Sequence, residues 1–77
     1  MKTYRITIDN RDNGTLRAKT AENALVQFLR ILSATHALKR GTIADAKRGN
    51  RNPLESASVY LWQGPFQRPV FASAKLV

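Results

Sequence analysis

The amino-acid sequence predicts an α+β fold, with one small antiparallel or mixed sheet of four to five strands and a single helix packed on one face. Three observations lead to this prediction. The chain of 77 residues has room for one core only. Segments near both ends alternate between apolar and polar side chains, and an apolar stripe at helical spacing lies between them. We therefore expect residues 1–77 to form a single domain.

The first two strands are predicted over residues 3–9 and 15–19, where alternate side chains are apolar. In the first of them the apolar face consists of Tyr4, Ile6 and Ile8. Between the two segments, the dipeptide Asn13-Gly14 favours positive φ angles and is typical of hairpin turns. The sequence thus predicts a hairpin that closes at Asn13-Gly14.

The helix is predicted to begin after Thr20, whose hydroxyl can accept a hydrogen bond from a free backbone N–H. Glu22 suits the positive end of the helix dipole. The apolar stripe that follows consists of Ala21, Ala24, Leu25, Phe28, Leu29 and Leu32. This stripe should cover one face of the sheet, so we expect Leu25 and Phe28 to lie in the core.

The end of this helix can be placed in two ways. It ends within residues 33–36, or it continues to Leu38, with Gly41 as a left-handed cap. Residues 42–47 are predicted as an edge strand, although Ile43 is the only large apolar side chain there.

The last part of the chain predicts two further strands. Residues 49–53 have the composition of a loop, residues 56–62 alternate as a strand, and residues 63–65 form a turn. A final strand is predicted over residues 70–77. Because Pro69 lacks the N–H that a central ladder needs, we expect this strand at an edge of the sheet.

The charge of the chain favours a polyanionic partner. Thirteen lysine and arginine residues against five acidic residues give a net charge of +8, which attracts nucleic acid above all. The surplus can also serve solubility alone or match an acidic protein surface. The absence of cysteine fits a reducing compartment, so we expect the cytoplasm. No apolar stretch approaches the ~20 residues that cross a bilayer, so we expect no membrane partner.

Two groups of side chains are candidates for contact with a partner. The first is a basic stretch that consists of Lys39, Arg40, Lys47, Arg48 and Arg51. Arginine binds phosphate with two parallel hydrogen bonds, and the glycine after each pair permits close approach. The alternative is a charged edge strand that prevents aggregation.

The second group is aromatic. Tyr60, Trp62 and Phe71 are predicted to share the face opposite Val59 and Leu61. Exposed aromatic rings could stack on bases or anchor a protein interface. Alternatively, that face packs against the helix and the rings belong to the core.

The sequence carries no catalytic signature. His36 is the only histidine, it has no obvious nucleophile or second metal ligand beside it, and the five carboxylates show no paired spacing. We therefore expect no enzyme, no metal, no cofactor and no small-molecule substrate. A small metal-independent ribonuclease toxin is a further alternative, because such enzymes cleave RNA with Arg, Lys, Tyr or His side chains.

Three features of the layout resemble small phage anti-CRISPR proteins of type I systems. They are the opening strand with Tyr4, the helix start Ala21-Glu22-Asn23-Ala24-Leu25, and the segment Lys39-Arg40-Gly41-Thr42-Ile43. The likeness covers residues 4–62. The basic loop at residues 47–51 and the tail after Pro65 depart from the pattern, which leaves the docking surface open.

The resemblance implies a non-enzymatic inhibitor, without a cofactor, that docks on a CRISPR surveillance complex such as type I Cascade and interferes with its DNA binding. We accordingly expect a phage or mobile-element protein that meets a nucleoprotein complex through the basic stretch. The alternative is a stand-alone nucleic-acid-binding module.

The first prediction concerns catalysis. The sequence contains no recognisable arrangement of a nucleophile, a general base or metal ligands. Purified protein should therefore leave RNA and DNA oligonucleotides intact. Gel electrophoresis after prolonged incubation measures this directly. Turnover that His36→Ala or Tyr60→Phe abolishes would contradict the prediction.

Overall fold

Four strands and two helices follow one another in a computed structural model, which describes residues 1–35, 41–48, 50–62 and 69–77. In chain order the elements are β1 Lys2–Ile8, β2 Arg11–Ala18, α1 Ala21–Ser33, α2 Thr42–Ala46, β3 Ser56–Trp62 and β4 Pro69–Leu76. The α+β class is confirmed, with α1 as the main helix against the sheet.

The strands form one open sheet in the order β2-β1-β4-β3, and every neighbouring pair is antiparallel. Of the four to five strands predicted, the described residues thus form four, with no parallel pair among them. The predicted alternation of β1 is also confirmed. Tyr4 and Ile6 are buried under α1, whereas Arg5 between them is exposed.

The hairpin between β1 and β2 closes at a different place from the one predicted. Asp9 and Asn10 form the turn with φ angles of 52° and 64°, the left-handed conformation that a two-residue type I′ turn requires. Asn13-Gly14 lies within β2 instead, where the register with β1 shifts and Gly14 has a φ of 94°. The dipeptide therefore makes a β-bulge, because Asp and Asn also tolerate positive φ and can take the turn itself.

Helix α1 begins as predicted. The Thr20 hydroxyl accepts a hydrogen bond from the Asn23 N–H at 3.0 Å. Five side chains of the helix are buried, namely Ala21, Ala24, Leu25, Val26 and Leu29. Leu25 is a core residue as predicted, whereas Phe28 is only partly buried at the margin of the core. The helix ends at Ser33, the earlier of the two ends that the sequence allowed.

The predicted edge strand at residues 42–47 is wrong, because this segment forms helix α2. Gly41 precedes it in a left-handed conformation with a φ of 87°. Thr42 and Ala46 are both buried, and residues four apart share one face of a helix. Two alanines also favour the helix, since alanine has the highest helix propensity. A strand would have buried no large side chain apart from Ile43.

Strand β3 is confirmed with the predicted bounds, but the predicted edge position of β4 is wrong. Strand β4 lies between β1 and β3 and is paired with both. Pro69 is its first residue, where a missing N–H removes little from the ladder. Ala72 and Ala74 are fully buried, and their small side chains suit the centre of the sheet beneath α1.

No helix within the described ranges is long and apolar enough to cross a membrane.

The second prediction compares two residues of α1. Leu25→Ala should lower the free energy of unfolding by about 3 kcal/mol, because a fully buried leucine leaves a cavity. Phe28→Ala should cost less, since the ring is partly exposed and its loss leaves a more open space. Urea denaturation of both variants measures the difference. A larger loss for Phe28→Ala would mean that the helix is rotated relative to this packing.

Candidate functional site

One face of the sheet is covered by α1 and α2, and no described helix packs against the other. We call this second face the open face. It carries the strand positions that alternate with the core residues, namely Thr3, Arg5, Thr7, Asp12, Thr15, Arg17, Ser56, Ser58, Tyr60, Phe71, Ser73 and Lys75. Because antiparallel pairing aligns these positions in rows across the strands, the composition of each row can be read from the register.

An aromatic pair lies at one end of the open face. Tyr60 and Phe71 are directly opposite each other on β3 and β4. Their ring centroids are 5.2 Å apart at an interplanar angle of 65°, an edge-to-face contact. Tyr60 is 64% exposed and Phe71 is 39% exposed. The alternative that these two rings belong to the core is therefore wrong, because Val59 and Leu61 supply the core side of β3.

Three cations lie at the opposite end. Arg5 and Lys75 are directly opposite each other on β1 and β4, and Arg17 lies on β2 beside the first residues of β1. Like charges in opposed positions destabilise a sheet. Asp12 offsets Arg5 at 2.6 Å, and no ion pair reaches Arg17 or Lys75 from the described residues. This end of the sheet therefore has a positive surplus that folding does not use.

Hydroxyl groups separate the two ends. The Thr7 and Ser73 side chains share a hydrogen bond of 2.7 Å between their oxygens, and Ser58 lies opposite Ser73. These short side chains protrude little from the sheet, so the middle of the open face is flat and polar. A flat ligand could therefore contact the aromatic and basic ends together.

A cleft of about 330 Å³ opens between β3, β4 and the loop before β3. Arg51 from that loop and Lys75 from β4 both line it, with Ser56, Ser58, Ser73 and Phe71. The fold thus brings Arg51, a residue of the predicted basic stretch, to the border of the open face.

Asn50 holds this loop against the outer edge of β3. Its side-chain oxygen accepts a hydrogen bond from the Ser58 N–H at 3.1 Å. Its amide nitrogen donates to the Ala46 carbonyl at 2.8 Å and to the Glu22 carboxylate at 3.1 Å. One side chain therefore joins β3, α2 and α1. No pattern in the sequence distinguishes Asn50 from the other polar residues of its loop.

The rest of the predicted basic stretch is placed differently. Lys47 and Arg48 are exposed at the end of α2, in the helical layer, and do not flank a strand. His36, Lys39 and Arg40 lie outside the described residues. The side chain of Trp62 also lies outside them. Sequence reasoning did not single out Arg5, Arg17 and Lys75. Alternation already put Arg5 and Arg17 at polar positions, but only the strand order brings Arg5 beside Lys75 and Arg17 to the same end of the sheet.

Within the described ranges, no group of three or more histidine or acidic side chains is close enough together to hold a metal ion. Comparison with protein-family models, curated proteins and solved structures finds no match to this chain. The anti-CRISPR resemblance stays a prediction.

The third prediction concerns Asn50. Asn50→Ala should lower the free energy of unfolding by about 1–3 kcal/mol, because it leaves the Ser58 N–H and the Ala46 carbonyl without their partner. Asn52→Ala is the matched control, since the side chain of Asn52 is exposed and should contribute within about 0.5 kcal/mol. Equal denaturation midpoints for the two variants would contradict the role given to Asn50.

Proposed function

We propose that this protein is a non-enzymatic module that binds single-stranded nucleic acid on the open face. One observation carries the proposal: an exposed aromatic pair and a group of cations share one face of the sheet. Aromatic rings stack on bases of any sequence, while lysine and arginine contact the phosphates.

The exposed aromatic pair favours a single strand over a duplex. Bases of a duplex are stacked on one another and present only their edges, whereas an unpaired base can lie flat against a ring. Burying Tyr60 and Phe71 against bases would also remove apolar surface from water. We therefore expect ligands with unpaired bases to bind more tightly than duplexes of the same length.

The distribution of charge supports the same partner. The residues of the open face include three cations, Arg5, Arg17 and Lys75. They include one carboxylate, that of Asp12, which pairs with Arg5. Arg51 adds a fourth cation at the border. A phosphate chain that crosses the strands would neutralise charges that the fold leaves opposed, so binding should relieve part of their repulsion.

Docking on a CRISPR surveillance complex stays a prediction, which the layout resemblance alone implies. In that case the protein would contact a nucleoprotein complex, whereas we propose that it contacts single-stranded nucleic acid directly. An inhibitor of that kind should be retained on its complex after nuclease treatment of a lysate, whereas a nucleic-acid-binding module should be released.

The fourth prediction tests the open face by fluorescence anisotropy with a labelled single strand of roughly ten nucleotides. Tyr60→Ala and Phe71→Ala should each weaken binding by about 5- to 150-fold, because a base stacked on an aromatic ring contributes about 1–3 kcal/mol. The double variant Arg17→Ala/Lys75→Ala should lower the slope of log affinity against log salt by roughly 1.4, or about 0.7 for each phosphate contact.

The matched control is Lys47→Ala/Arg48→Ala, which removes the same charge from the helical layer. It should leave the salt slope within error of the wild type. A control that loses as much affinity as Arg17→Ala/Lys75→Ala would return the site to the predicted basic stretch. Unchanged binding by both aromatic variants would rule out stacking on this face.

A further inference from the structure

The cleft beside β3 has features of a site for one particular part of a nucleic acid. We infer that it binds a single nucleotide unit, with the phosphate between Arg51 and Lys75 and the base toward Phe71. This inference rests on the proposed function, because the cleft opens onto the same face. It adds a defined pocket, an orientation for the ligand, and a residue outside the sheet.

The size of the cleft suits one nucleotide. Its volume of about 330 Å³ is at the lower end of the range of about 300–1,000 Å³ for small-molecule sites. A groove for several nucleotides or for a peptide segment would need to be larger. The rest of a bound strand would therefore lie outside the cleft, over the open face.

Two cations on separate elements line the cleft, and no carboxylate does. Arg51 comes from the loop before β3, and Lys75 comes from β4. An arginine can donate two parallel hydrogen bonds to a phosphate, and a lysine adds a compact positive charge. This combination selects an anion with several oxygen acceptors.

Hydroxyl groups supply neutral donors between the cations and the ring. Ser56 and Ser58 are two residues apart on β3, so both are on the open face. Neither hydroxyl has a hydrogen bond to another described residue, whereas the Ser73 hydroxyl is bonded to Thr7. Ser56 and Ser58 are therefore the two serines of the cleft that are free to donate to phosphate or sugar oxygens.

The wall of the cleft is fixed before a ligand arrives. Asn50, which also lines the cleft, is hydrogen-bonded to β3, α2 and α1. Arg51 follows directly, so its backbone starts from a fixed position. A site that is already ordered loses less entropy on binding than a flexible loop would.

The spacing along β4 sets the orientation of the nucleotide. Lys75, Ser73 and Phe71 follow one another on the same face, about 6.7 Å apart. Phosphate contact at Lys75 therefore leaves the base near Phe71, whose ring is already in contact with Tyr60. A second base could then stack on Tyr60, which is the more exposed of the two rings.

The fifth prediction tests the cleft by NMR titration of the full chain with a nucleoside monophosphate, with the nucleoside alone and with inorganic phosphate. The monophosphate should cause saturable shifts of the Ser58, Ser73 and Lys75 amides and of the Phe71 ring. Arg51→Ala should weaken its binding by about tenfold, since a charge-assisted hydrogen bond is lost. Arg48→Ala removes the same charge outside the cleft and should change the affinity by less than about twofold.

Several outcomes would overturn the inference. They are the absence of saturable shifts at the cleft, an equal loss of affinity in Arg51→Ala and Arg48→Ala, and inorganic phosphate binding as tightly as the monophosphate. The last outcome would make the cleft a simple anion site without a place for the base. The amide spectrum of each variant checks that the fold is intact.

The same titration separates the cleft from the proposed function. If Tyr60→Ala weakens the binding of a single strand but Arg51→Ala leaves its affinity unchanged, the open face is the interface and the inference about the cleft is wrong. If no single strand binds and the monophosphate does, the cleft stands as a site for a free nucleotide. Tighter binding of a short oligonucleotide than of the monophosphate identifies the strand as the source of the nucleotide unit.

Discussion

Hydrogen bonds from the segment of residues 50–54 join the helices to the sheet, and the arrangement of the other elements depends on them. Asn50 bridges β3, α2 and α1. The Pro53 carbonyl accepts from the Ala21 and Glu22 N–H groups at the start of α1, at 2.8 and 3.3 Å. The Leu54 carbonyl accepts from the buried Tyr4 hydroxyl at 2.6 Å. Since free N–H groups at a helix start are costly to bury, this segment is a structural part of the core boundary.

The helical layer covers one side of the sheet, and this division determines which side chains of the strands stay accessible. Among the described residues, seven of the fourteen buried in the core are alanines, and their small side chains let the helix approach the central strands closely. Arg5, Arg17, Lys75, Tyr60 and Phe71 are then left on the open face. In a chain of 77 residues, a sheet face that no described helix covers is a large share of the accessible surface.

The open face combines features that are unfavourable for stability alone. Arg5 opposes Lys75 directly, and Tyr60 is left largely in water. Each of these costs free energy in the isolated protein, and each would be compensated by a ligand that carries both phosphates and flat rings. The Asn50 bridge adds Arg51 to this surface by holding its loop beside β3. The proposed nucleotide cleft therefore depends on the same hydrogen bonds that organise the fold.

Local chemistry was sufficient to predict β1, the start of α1 and β3 from the sequence, because alternation in a strand and capping of a helix depend on neighbouring residues only. The α+β class followed from these elements. Other features depend on contacts between distant segments. The position of the hairpin turn at Asp9-Asn10 was settled by the register of β1 with β2, and the central place of β4 by pairing on both sides. Residues 42–46 became helical with Thr42 and Ala46 buried together. For the same reason, sequence alone determined that Tyr60 and Val59 face opposite sides, whereas only the packing of α1 decided which side is exposed.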